Sequence, residues 1–288
     1  MPTTDLTIIN NQQLIGAAGR PFLLDLYYQP DAQPKPILLF VHGYKGFKDW
    51  GHWQQIGRYF AERGYVFIKF NFSHNGTTIT SPDTFDDLEA FGNNNYQHEL
   101  ADIDALLTCL HKGSTDLPAR EADLSRIGLI GHSRGGAISI IKAANDARVK
   151  ALATWAAVSR LDYAWSKERV AQWEKEGVYY IVNGRTGQNM PMYYQMYQNF
   201  IANRTLLNVQ SALDGFNKPM LILHGTADPA VPHTAAETLQ RDYSAAQLHL
   251  IEGADHVFGG QHPYESNELP AHSEELVEVS RQFFDEQL

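Results

Sequence analysis

Apolar residues fall along this chain in two alternating rhythms. Residues 37–41 and 65–70 are short, mostly apolar runs, the length of a strand buried on both faces. Between them, residues 51–63 have helical character, and Gly64 supplies the stop. Residues 97–111 place Leu100, Ile103, Leu106, Leu107 and Leu110 on one helical stripe. A strand-length run at 126–130, a run of helix formers at 137–144 and a strand at 149–158 follow. Upstream, residues 6–10 and 21–28 read as antiparallel strands joined by a turn at 17–20. Downstream, 220–224 and 247–251 read as strands, and 233–243 and 271–287 as helices. This alternation predicts an α/β architecture, a mainly parallel central sheet with helices on both faces. Sites in such sheets form at the carboxyl ends of the strands.

The alternation lapses from 159 to 218, a stretch holding Trp165, Trp173, Tyr179, Tyr180, Met190, Met192, Tyr193, Tyr194, Met196, Tyr197 and Phe200. It reads as a small cap inserted into one domain spanning 1–288. Its aromatic residues and methionines could line a pocket or pack cap helices onto the sheet. Tyr193, Tyr194 and Tyr197 are the candidates to face a ligand.

The chemistry-bearing residues follow strands. Gly131-His132-Ser133-Arg134-Gly135-Gly136 joins a strand to a helix, the pattern of a nucleophile elbow. Such a turn strains the serine backbone, and its glycines leave room for neighbouring chain. A serine hydroxyl needs a base to take its proton and a third group to orient that base. Asp228 follows the 220–224 strand and His256 the 247–251 strand, giving the order Ser133, Asp228, His256. Asp162 is an alternative acid, and Asp255 reads as a residue that fixes the histidine loop. Backbone N–H groups of Arg134 and Tyr44 are positioned to receive an oxyanion. Tyr44 lies in the loop His42-Gly43-Tyr44-Lys45-Gly46, which His42 is expected to order.

Composition narrows the classes. A formal net charge of −10 without a basic stripe argues against nucleic acid as partner. The single cysteine, Cys109, excludes an intrachain disulfide and reads as a buried helical thiol. The start, Met-Pro-Thr-Thr-Asp-Leu, lacks the character of a signal peptide, and no segment approaches the ~18 apolar residues of a membrane span. The expectation is a cytoplasmic protein, with a homodimer left open. Paired Cys/His spacings and glycine-rich phosphate motifs are absent, so neither metal nor cofactor is expected.

Together, Val41-His42-Gly43-Tyr44, the Gly131–Gly136 elbow, His224-Gly225-Thr226-Ala227-Asp228 and Gly253-Ala254-Asp255-His256 resemble the α/β-hydrolase family. Residues 218–258 look like bacterial cinnamoyl/feruloyl esterases and dienelactone-hydrolase-like proteins. The resemblance implies an α/β-hydrolase fold, with Ser133 as nucleophile, Asp228 as acid, His256 as base, and Tyr44 and Arg134 as oxyanion donors. It further implies hydrolysis of a small-molecule carboxylic ester. Two other readings stay open: an aminopeptidase-like amide hydrolase on the same residues, and a non-catalytic binding protein of this fold. The chain departs from such esterases at residues 71–76, where Asn-Phe-Ser-His-Asn-Gly replaces an Asp-x-x-Gly-x-Gly turn. Its 259–270 segment is also longer and more polar than in such esterases.

Overall fold

The computed structural model describes residues 5–288; Met1–Thr4, the start of the segment read as lacking leader character, lie outside the described residues. Strands β1 (Thr7–Ile15) and β2 (Pro21–Tyr28) form a hairpin around a 3-10 turn at Ala17–Gly19. They are followed by β3 (Lys35–Val41), α1 (Trp53–Ala61), β4 (Val66–Phe70), α2 (Leu88–Gly92) and α3 (Tyr96–His111). Next come β5 (Ala122–His132), α4 (Arg134–Asn145) and β6 (Val149–Trp155). The 159–218 stretch holds α5 (Lys167–Glu176), β7 (Val178–Val182), β8 (Asn189–Tyr193), α6 (Gln195–Ala202) and α7 (Val209–Asp214). The chain ends with β9 (Met220–Gly225), α8 (Thr234–Asp242), β10 (Gln247–Ile251) and α9 (Ala271–Gln287).

Eight strands form one sheet in the order β1-β2-β4-β3-β5-β6-β9-β10. From β4 to β10 every neighbouring pair is parallel, and the β1-β2 and β2-β4 pairs are antiparallel. Alternate residues of β3 serve opposite faces. Ile37, Leu39 and Val41 join the core under α3 and α4, while Leu38 and Phe40 join the core under α1 and α9. That two-sided burial is why the run reads as continuously apolar.

The sequence reading and the structure differ at several boundaries. β1 runs on to Ile15, because a bulge at Asn11 (φ 57°) breaks its alternation and hides its second half among polar residues. β6 stops at Trp155 instead of continuing to 158, since Ala156 turns at φ 49°. The 159–218 stretch, read as an inserted cap without assigned strands, contains a separate antiparallel pair, β7-β8. Its Tyr- and Met-rich strands carry no clean alternation, so their period is not readable. Cys109 is half-buried, not buried, on α3.

Candidate active site

Ser133 is built by backbone geometry. It sits between β5 and α4 with φ 56° and ψ −121°, a strained conformation for a residue with a side chain. Its N–H donates to the Trp155 carbonyl at 2.8 Å, and its own carbonyl accepts from Gly136 and Val158. The flanking glycines are needed for close approach. A Cβ on Gly135 would lie 2.3 Å from the Val41 carbonyl oxygen, and one on Gly131 would lie 2.5 Å from the Gly135 carbonyl oxygen. Ser133 occupies the position before the first helical residue, yet its side chain makes no capping bond. The hydroxyl faces His256 instead, with Oγ 3.0 Å from Nε2.

His256 Nδ1 is 2.7 Å from Asp228 Oδ2, so the three groups form one hydrogen-bonded series. With Asp228 accepting at Nδ1, the ring's proton sits there and Nε2 is free to accept from the serine. Asp228 is well supplied with donors. Its Oδ1 accepts from the Ala230 and Val231 N–H groups at 2.8 and 2.9 Å, and His224 Nε2 stands 3.2 Å from Oδ2. Burial alone would raise its pKa, but hydrogen bonds from His224, His256 and Val231 hold the carboxyl below its ordinary value. It therefore stays ionised beside the imidazole.

The other residues singled out from the sequence fall as follows. Asp162 pairs with Arg160 at 2.9 Å on the surface and does not reach His256. Asp255 Oδ1 accepts from the Val257 and Gly259 N–H groups, fixing the loop that carries His256. His42 Nδ1 donates to the Gly43 carbonyl and Nε2 accepts from the Phe72 N–H, so it orders the loop after β3. Burial pushes its pKa down to about 4, which keeps it neutral. Tyr44 lines the same cavity as Ser133, and Gly43 abuts the serine so closely that a Cβ there would be 2.8 Å from Ser133 Cβ. Neither the Tyr44 nor the Arg134 N–H donates to a carbonyl or side chain among the described residues.

Tyr193, Tyr194 and Tyr197 are not brought to that cavity. Tyr193 packs on Gly92, and its hydroxyl donates to Glu89 at 2.6 Å. Tyr194 and Tyr197 stack on each other and against Trp173. Tyr194 and Tyr197, both half-buried, thus cover the buried Trp173 ring and do not line the cavity above the serine.

The cavity above Ser133 has a volume of about 410 Å³. Trp50, Trp53, His132, Val257 and His262 contribute to its walls, with Asn183 and Arg185 from the turn between β7 and β8. Three supporting residues escaped the sequence reading. His132 Nε2 donates to the His256 carbonyl at 2.8 Å, bracing the backbone of that histidine. Burial, with the neighbouring His256, drives the His132 pKa down to about 3. His224 braces Asp228 from inside the sheet, and its i,i+4 spacing to Asp228 was the available signal. Glu99, fully buried on α3, pairs with the Arg134 guanidinium at 2.5 Å. That guanidinium also lies over the Tyr44 ring, 4.7 Å from its centroid. The side chains of Tyr44 and Arg134 thus pack on each other. No group of three or more metal-binding side chains occurs among the described residues.

The sequence profile of the alpha/beta hydrolase family matches residues 38–268. The chain belongs to that family. Est1E from Butyrivibrio proteoclasticus, solved with ferulic acid bound, is similar in structure with a TM-score of 0.70 and 20% identity, over 96% of this chain and 98% of that one. An esterase domain from Rhodothermus marinus aligns with a TM-score of 0.62 and 18% identity, covering 97% of each chain. A puromycin-hydrolyzing peptidase from Mycobacterium tuberculosis aligns with a TM-score of 0.64 and 18% identity, over all of this chain but 40% of that one. At these identities the likeness is one of fold. Among curated protein sequences, none matches.

Proposed function

We propose that this protein is a serine hydrolase that cleaves carboxylic esters through an acyl-enzyme. The observation that carries the reading is the unbroken series from Ser133 Oγ through His256 to Asp228, on a strained serine at the carboxyl end of β5. In this reading Ser133 Oγ attacks the ester carbonyl while its proton passes to His256 Nε2. Asp228 holds the Nδ1–H and stabilises the imidazolium. The Tyr44 and Arg134 N–H groups receive the carbonyl oxygen as its charge develops, at the positive end of α4. The alcohol leaves with the proton returned by His256, and water then repeats the sequence on the acyl group.

The 159–218 stretch serves as a cap, since the β7-β8 turn contributes Asn183 and Arg185 to the cavity wall. The structural likeness to a peptidase supports amide hydrolysis as the second reading. That peptidase is much longer than this chain, however, and the cavity here, about 410 Å³, has room for a small ester. A cytoplasmic setting is part of the proposal, supported by the lone thiol. Among the described residues no helix is long and apolar enough to cross a membrane.

The test is a panel of p-nitrophenyl acetate, butyrate and octanoate, methyl ferulate and alanyl p-nitroanilide, with wild type and Ser133→Ala. Turnover of esters that needs Ser133 is the expected result. Faster release of the anilide would favour the peptidase reading. Failure of a fluorophosphonate to label Ser133 would favour a non-catalytic binding protein of this fold.

A further inference from the structure

The cavity wall carries charge that ester cleavage by itself does not use. Lys45 and Arg185 both line it, and neither forms an ion pair within 4 Å among the described residues. The chain has 33 acidic residues against 23 basic ones, yet no Asp or Glu lines this cavity. Asp83 acts on Arg185 only through space, from an exposed loop, and Asp49 is committed to Lys48 and Lys69. Each cation rests on an aromatic ring instead. The Arg185 guanidinium is 5.3 Å from the Phe47 centroid, and Lys45 Nζ is 5.7 Å from that of Tyr44. Partial burial lowers the pKa of both, as expected of cations without a carboxylate partner.

A third donor stands beside them. Asn183 is 6% exposed, and its Nδ2 has no hydrogen-bond partner. Its Oδ1 is occupied by the Arg185 N–H at 3.2 Å, so the amide nitrogen is the end left over. The turn that presents it is pinned. Asn183 and Gln188 bond across it at 2.8 Å, and Gln188 Nε2 donates to the Phe85 carbonyl at 3.0 Å. A buried donor left unpaired is costly, and an acceptor on a ligand in the adjoining cavity would satisfy it. A planar guanidinium and an amide N–H two residues apart on one turn, with an ammonium lining the same cavity, suit a carboxylate.

We infer that the substrate is an ester bearing a second, ionised carboxylate, which Asn183, Arg185 and Lys45 receive while Ser133 attacks the ester carbonyl. This rests on the ester-hydrolase reading above. It places the negative charge on the substrate beside the β7-β8 turn that carries Asn183 and Arg185.

Two matched pairs test it, one for each side of the ester bond. On the acyl side the pair is p-nitrophenyl hydrogen glutarate and its methyl-capped neutral form. On the alcohol side it is 4-acetoxybenzoate and its methyl ester. The readout is the ratio of kcat/KM for the charged member over the neutral one, compared between wild type and variant so that intrinsic reactivity cancels. For at least one pair, Arg185→Gln should lower that ratio by about tenfold or more, as loss of a charge-assisted bond does. Lys45→Gln should lower it less, and Arg185→Lys should fall between wild type and Arg185→Gln. Added salt should lower the wild-type ratio as well. Ratios that stay the same in Arg185→Gln and Lys45→Gln for both pairs, while esters are still cleaved, would overturn the carboxylate site and leave the esterase reading intact. No cleavage of any member by wild type would refute the esterase reading, and this inference with it.

Discussion

The elbow with its three loops and the 159–218 segment cover the same cavity but are held by different physics. Around Ser133 the backbone itself sets the geometry, through a strained φ and glycines that admit carbonyl oxygens closer than any side chain allows. In the 159–218 segment the backbone is ordinary, and large rings do the work: Trp165, Trp173, Tyr194, Tyr197 and Phe200 pack edge to face or stacked. The first kind of constraint demands particular residues at particular positions. The second demands only enough aromatic volume, and so it leaves chemistry to whichever residues sit at the turn.

The largest effect that separates the two regions is catalytic. Ser133→Ala should lower kcat by about 10⁶ while the circular dichroism spectrum stays native. Asp228→Asn should cost about 10⁴ in kcat, whereas Asp162→Asn should leave the rate near wild type, because Asp162 only pairs with surface Arg160. A crippled Asp162→Asn enzyme would show that the wrong acid has been assigned.

Stability should divide along the same line. Gly135→Ala drives a Cβ into two backbone carbonyls and should cost about 3 kcal/mol or more, read as a lower urea midpoint. Gly184→Ala, in the β7-β8 turn, meets open space and should stay within about 0.5 kcal/mol of wild type. Acid should sharpen the contrast. Burial lowers the pKa of His42 and His52 to about 4 and that of His132 to about 3 in the folded chain. Unfolding returns each to about 6.5, so the unfolded state binds more protons as pH falls below that value. Stability is therefore full above about 6.5 and is lost on the way down, by about 3 kcal/mol per histidine at pH 4. No histidine lies between 159 and 218. Hydrogen exchange at pH 5 should open the loops after β3 and β5 before it opens that segment, and simultaneous opening would refute the division.

The smallest effect is the most telling for the tyrosines. Tyr194→Phe and Tyr197→Phe should change kcat/KM by less than about twofold, because both rings pack on Trp173 and neither lines the cavity. A large loss in either would return them to the pocket.

The strands before Ser133 and Asp228 were legible because their ends are buried on both faces and read as apolar runs, while β10, before His256, is a partly buried edge strand. The elbow was legible because its glycines answer a steric demand that no other residue meets. Boundaries were lost where local geometry breaks the period, as at the Asn11 bulge and the turn at Ala156. His132, His224 and Glu99 stayed hidden, since a buried polar residue declares its role only through its partner, and each partner lies on another element or across a turn.

By itself, then, the sequence determined the parallel sheet, the strained serine and the order of three reactive groups, all consequences of short-range sterics and burial periodicity. Only the tertiary structure decided which acid meets His256, which rings stay out of the cavity, and that Asn183, Arg185 and Lys45 line one cavity. Those are outcomes of packing between residues far apart in the chain, as where Lys45 and Arg185, 140 positions apart, line one cavity, and no local rule in the chain encodes where such residues meet.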